Sequence, residues 1–277
     1  MVSARRRSPL ALYGAGALIA VAVTATVTVV AVRDNAAQGD RVTRTNVSSV
    51  NAPAPEAPAA TGFAEMDADA FGHRFDLPKN PAGQPLTQNG GQRKPTDPDW
   101  LTAAPGGTTE QGGWQRIYNG PVIPFSTTDG PTGIENGVPI GLGHTPQGAA
   151  LAAEQIYWRT AARSTDRALW QQLVILTPQE QADRDKKLAE GKIPEQLPES
   201  AKPLLFASDA FRIESYSDEF AVVRIARKTR DFLHGGRSWV AMRLNMAWRD
   251  GGWKLKSSAS EAQPLETIDS IDGWTQW

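Results

Sequence analysis

The chain has 277 residues, with 29 Lys and Arg against 30 Asp and Glu and a formal net charge of -1 at pH 7. That balance gives no global field to draw it toward nucleic acid or a cationic partner. The absence of cysteine excludes disulfides, thiol catalysis, thiolate metal sites and a lipoprotein-type attachment, so any folded part must be held by its core.

In chain order, a basic tail over residues 1–9 carries Arg5, Arg6 and Arg7 and leads into 23 uncharged, mostly apolar residues from Leu10 to Val32. At about 1.5 Å rise per residue this span is long enough to cross a hydrocarbon core of about 30 Å as a transmembrane helix. Arg33 is followed at once by Asp34, so the positive-inside rule puts the N-terminus in the cytoplasm and the rest outside. A cleaved signal peptide would have a shorter apolar stretch and a small-residue cleavage site. The expected localisation is therefore a single-pass cell-membrane protein whose C-terminal part is extracytoplasmic.

Residues 33–113 read as a flexible extracytoplasmic linker, because residues 51–113 alone contain nine prolines and nine glycines. Such a composition buries too little apolar surface to offset the entropy of ordering it. One island, with Phe63, Met66, Ala70, Phe71 and Phe75 near helical spacing, reads either as a docking motif or as a strap packed back on its own domain. The strap is the simpler reading.

The folded domain is expected over residues 114–277, with its core in 145–260. Residues from Trp114 form an extended segment confined to a sheet edge by Pro121 and Pro124. A glycine-rich loop over 127–143 follows, without the spacing of a phosphate cradle. Thr145 as N-cap and Pro146 at the first helical position start a helix with Ala149, Ala152, Ala153, Ile156 and Tyr157 on its apolar face. Ser164 or Thr165 caps a second helix with Leu169, Trp170, Leu173 and Leu176 inward. Thr177-Pro178 opens a third, mostly charged helix closed by Gly191. From Leu204 the hydrophobic period changes to two, giving four strand candidates, the last two joined at Asp250-Gly251-Gly252. Three helices followed by an antiparallel meander predict an α+β fold with the helices laid across one face of the sheet.

That order, with Trp248, Asp250, Gly251, Trp253, Lys254 and Leu255 in a W-x-D-G-x-W-K-L hairpin, resembles the nuclear-transport-factor-2-like (cystatin-like) cone. An anchored form of this cone is the bitopic scaffold subunit of conjugative type IV secretion machines. The stretch from Pro139 to Ala153, PIGLGHTPQGAALAA, resembles a motif of actinobacterial membrane-anchored proteins of unknown function. The resemblance covers roughly residues 145–260. It implies a curved antiparallel sheet and an anchored topology, but no mechanism, since the cone hosts isomerases, dehydratases and scaffolds alike.

Catalytic members of that superfamily place an Asp, His or Tyr inside the cone. Of the three histidines here, His73 falls in the linker and His234 in a hairpin loop. His144 is the best pocket candidate, because a helix N-terminus disfavours charge on the ring; its bland alternative is a loop anchor. Tyr157 and Tyr216 either line a pocket or belong to the core. No paired carboxylates, HExxH or GxSxG occur, so no catalytic set, metal site or cofactor is expected. Between Leu204 and Ser258 ten basic residues face six acidic ones, and the last 19 residues carry four acids and no base. That pattern reads as a solvated strand face neutralised by the tail; it is too weakly basic for nucleic acid.

The expected function is a membrane-anchored extracytoplasmic scaffold acting by contact with other envelope proteins or with itself, as in a conjugation-type assembly. The alternative is a small-ligand-binding or enzymatic cone of the isomerase or dehydratase type.

Overall fold

The computed structural model describes residues 60–257 and 265–277. The basic tail, the Leu10–Val32 span and the first third of the linker lie outside these residues. Among the described residues no helix is long and apolar enough to cross a membrane.

Two sheets and one buried helix make the fold. The first sheet has four strands, β1 (Phe63–Ala68), β2 (Arg74–Pro78), β3 (Trp114–Arg116) and β4 (Val122–Pro124), in that spatial order. β1 and β2 form an antiparallel hairpin, β2 and β3 run parallel, and β3 and β4 antiparallel. A short ribbon of β5 (Gly133–Glu135) and β6 (Val138–Ile140) turns on Asn136 and Gly137, both at positive φ. Then come α1 (Pro146–Ala162), α2 (Arg167–Leu173), β7 (Val174–Ile175) and α3 (Pro178–Ala189).

The larger sheet holds β8 (Ala210–Ser217), β9 (Phe220–Lys228), β10 (Trp239–Arg249), β11 (Gly252–Lys256), β12 (Glu266–Ile268) and β13 (Thr275–Gln276). Its order is β13-β8-β9-β10-β11-β7, with β12 on the free half of β10. The pairing is antiparallel except where β7 joins β11 in parallel, so the sheet is mixed. Asp250 and Gly251, at φ 54° and 77°, form a two-residue turn that sets Trp248 opposite Trp253. Positive φ at both central positions matches the right-handed twist of the strands, and Asp-Gly tolerates it.

The expected fold of three helices on one face of an antiparallel cone, tethered by a disordered linker, is corrected on three points. First, α1 is sandwiched: it packs on β4 of the first sheet and on β8, β9, β10 and β11 of the second, and all 17 of its residues are buried. Its apolar side chains, Leu151, Ile156 and Trp158 among them, each contribute roughly 1.5–3 kcal/mol by leaving water. Second, α2 has only seven residues and starts on Asp166, whose side chain accepts from the Leu169 amide, rather than on Ser164 or Thr165. α3 has a capping box from Thr177 and Glu180 but buries only Arg184, so it covers none of the sheet.

Third, residues 60–113 are part of the fold. They cover the second side of α1, and buried polar side chains of that helix hold them there. Gln147 donates to the carbonyls of Trp100 and Ala103 at 2.9 and 3.1 Å. Arg159 donates to those of Ala82 and Gly137 at 2.6 and 3.2 Å, and to Gln155 at 2.9 Å. Gln155 in turn reaches the Pro124 carbonyl at 2.6 Å. The composition argument failed because buried backbone carbonyls satisfied by the helix, together with the burial of a few side chains such as Phe75, order this segment. The Phe63–Phe75 island is a strap, as one of its two readings held, but it is a hairpin and not a helix.

Candidate functional site

The strap's turn is built around Asp69. Its Oδ1 accepts from the amides of Phe71 and His73 at 2.9 and 3.0 Å, an Asx-type turn that Gly72 completes at φ 81°. Its Oδ2 faces His73 Nδ1 at 3.2 Å and accepts from the Ala207 amide at 3.3 Å, which ties the strap to the larger sheet. Burial pushes the Asp69 carboxyl up, but the bonds from His73 and Phe71 outweigh it and hold the group below its usual range. Beside it, Phe71 packs edge-on to Phe206 at 4.6 Å and to Phe232 at 6.3 Å.

The other nitrogen of the same histidine looks across to the second sheet. His73 Nε2 lies 3.8 Å from Asp209 Oδ1 and 3.5 Å from Lys228 Nζ, and those two are paired at 2.6 Å. Asp209 Oδ2 also accepts from the Lys228 amide at 2.8 Å. This cluster forms one end of an open cleft of about 960 Å³ between the two sheets. Phe63 to Met66 of β1, Arg74 and Asp76 of β2 and the 108–111 loop line one side, with Ser208, Trp239, Ile271 and Trp277 on the other. Ser208 Oγ, Trp239 Nε1 and Trp277 Nε1 have no hydrogen-bond partner among the described residues. Each of these atoms is shut off from solvent, and a buried polar group left this way costs roughly 1–3 kcal/mol.

Ser208 and His73 line this cleft and Asp69 stands behind the histidine, yet the three do not form a hydrolytic triad. The histidine is held by Asp69 through Nδ1, but its Nε2 faces Asp209 and Lys228, and the Ser208 hydroxyl has no partner among the described residues.

The sequence-derived candidates fall elsewhere. His144 stacks on Trp248 at 3.9 Å with 8° between the planes, and its Nε2 bonds the Asp218 carbonyl. Tyr216 donates to the His144 carbonyl at 3.0 Å, and burial pushes its hydroxyl up to about 12. Trp253 donates to the Gly143 carbonyl at 2.9 Å and lies 5.2 Å from Trp248. These four residues fasten the β10–β11 hairpin to the start of α1, where Thr145 caps the helix through the Gly148 amide and donates to the buried Asp129 at 2.6 Å. Burial pushes the Asp129 carboxyl up. Tyr157 does not join them; it is buried on α1 next to Trp158, near the ion pair of Glu154 with Arg227.

The basic strand face is largely occupied as well. Arg224 pairs with Glu214 and Glu266, Arg243 with Glu214, and Lys228 with Asp209. The cleft residues were passed over in the sequence because His73 and Asp69 sit in what composition marks as linker. A carboxylate four residues before a histidine, astride a glycine turn, was the available signal.

Residues 76–276 match the family described as Domain of unknown function (DUF8175), and the chain belongs to that family. The match takes in most of the Gly- and Pro-rich segment that covers α1 and the larger-sheet side of the cleft, while β1, Asp69, His73 and Arg74 lie before it. No curated protein and no solved structure matches the chain, so the cone and conjugation-scaffold resemblances gain no relative from these comparisons.

Proposed function

We propose that this chain is an extracytoplasmic interaction module that acts by contact, holding a partner in the cleft between its two sheets. One observation carries the reading: an open cleft of about 960 Å³ between the sheets, rimmed by Met66 at 53% exposure and by Glu65 and Glu110, which have no cationic partner among the described residues. An exposed apolar side chain beside unpaired carboxylates in a cleft suits a contact site better than a solvated surface. The histidines support the same reading, because His73 and His144 are both engaged in holding segments together. Display outside the cell rests on the charge pattern around Leu10–Val32. A photo-crosslinking residue at Met66 should yield a discrete protein adduct in the producing cells, while one at Ile140, equally apolar but remote from the cleft, should not. Equal adducts at both positions, or none at Met66, would overturn the contact reading.

A further inference from the structure

The shape of the cleft says how a partner enters it. On β2 the lining residues alternate, Arg74 and Asp76, as they must on one face of a strand. On β1 four consecutive residues, Phe63 to Met66, line it, so the cleft extends past the face to the strand's outer edge. A bulge between Phe63 and Met66 turns the backbone at that point. β1 ends its sheet, and among the described residues no strand pairs with its outer side. Five of its six residues are exposed; the Ala68 amide is taken by Asp67 Oδ1 at 2.8 Å, and the outward amide and carbonyl groups before it are open to a new strand.

Charge gives the second constraint. Lys228 is held by Asp209 and the buried Asp76 carboxylate by the Gly112 amide at 2.7 Å, which leaves Glu65 and Glu110 at the cleft against Arg74. Arg74 is itself turned onto the Met66 sulfur, with Nε at 3.0 Å. Glu65 and Glu110 have no cationic partner among the described residues.

From these observations we infer that the occupant is an extended, basic peptide segment of a partner protein, added to β1 as an antiparallel or parallel fifth strand of the first sheet. Main-chain bonds to β1 supply affinity that is largely independent of sequence, and cationic side chains over Glu65 and Glu110 supply the selection. The inference rests on the contact reading above and specifies its partner.

The test uses the described protein and three synthetic eight-residue peptides. One alternates Lys with Val, one replaces each Lys by Glu, and one is the Lys–Val peptide N-methylated at every second residue so that one edge cannot hydrogen-bond. Binding is followed by tryptophan fluorescence and by amide hydrogen exchange in residues 63–68. The Lys–Val peptide should bind at least tenfold more tightly than the other two and slow exchange in β1. A Glu65→Lys, Glu110→Lys double variant should reverse the preference between the Lys and Glu peptides. Equal binding of the N-methylated peptide, no preference for Lys over Glu, or no binding at millimolar peptide would overturn strand addition. Since adducts at Met66 report contact whatever the partner's chemistry, these failures would leave the contact reading standing or fallen on its own test.

Discussion

Arg159 and Ala82 are 77 residues apart in sequence, and Nη1 of the first donates to the carbonyl of the second at 2.6 Å. The arginine is completely buried and has no carboxylate partner among the described residues; burial pushes its guanidinium down to about 10. Its charge is carried by carbonyl dipoles of the segment it orders. Helix and strap therefore stand or fall together.

A chain beginning near Gly113 should not unfold cooperatively, because α1 would lose the cover of residues 60–112 and leave Gln147 and Arg159 buried or exposed without their carbonyl partners. Urea unfolding followed by tryptophan fluorescence measures this. A single sharp transition at the midpoint of the longer protein would show that the strap is an accessory.

Trp253→Ala should cost about 3–5 kcal/mol, the range for truncating a large buried aromatic, since the ring is 3% exposed and its N–H holds Gly143. Trp248→Ala should cost distinctly less, because that ring is half-buried. Chemical denaturation of both variants compares them, and equal losses would contradict the difference in burial.

Gly148→Ala tests the packing at the start of α1. In an isolated helix the change gains up to about 1 kcal/mol. Here a Cβ would sit 1.9 Å from the Gly143 carbonyl oxygen, a backbone atom that cannot turn away. The variant should be less stable by at least 1–2 kcal/mol, roughly the cost of overpacking. A rise in Tm would show that the loop before the helix yields freely.

The strap should loosen in acid. The Asp69 carboxyl is held below its ordinary value of 3.8, so its stabilising contribution is fully present above that value and is lost as pH falls through the lower folded one. Asp69→Ala should narrow its stability deficit against the parent protein between pH 5 and pH 2, roughly, as the parent's own contribution disappears. A deficit constant over that window would mean that the carboxylate's charge does not hold the turn.

What the sequence shows best is local. Thr145-Pro146 and Thr177-Pro178 mark helix starts because capping needs only neighbouring atoms, and Asp250-Gly251 marks a turn for the same reason. Asn136-Gly137 carries an equal signal for the β5–β6 ribbon, although the glycines around it drown that signal in apparent loop. What stays hidden is relational. Nothing in Gln147, Gln155 or Arg159 announces that they reach backward to order a proline-rich segment. Ala149 to Tyr157 read as one apolar face because the polar residues between them look solvent-bound, when they are partnered inside. The cleft is invisible for the same reason, since it exists only where the strap's hairpin meets Asp209 and Lys228, more than 130 residues further on.

The closing of the strap also sets an order of events. Asp69 waits for the amide of Ala207, 138 positions downstream, and the Thr102 carbonyl for the hydroxyl of Thr275, 173 positions downstream. Contacts of such long sequence separation form late and make folding slow. During that interval Phe71 and Phe75 are uncovered beside an unpaired strand edge, the combination most prone to self-association. A segment that binds β1 early would then act twice, as a partner in the finished protein and as a guard over the unfinished one.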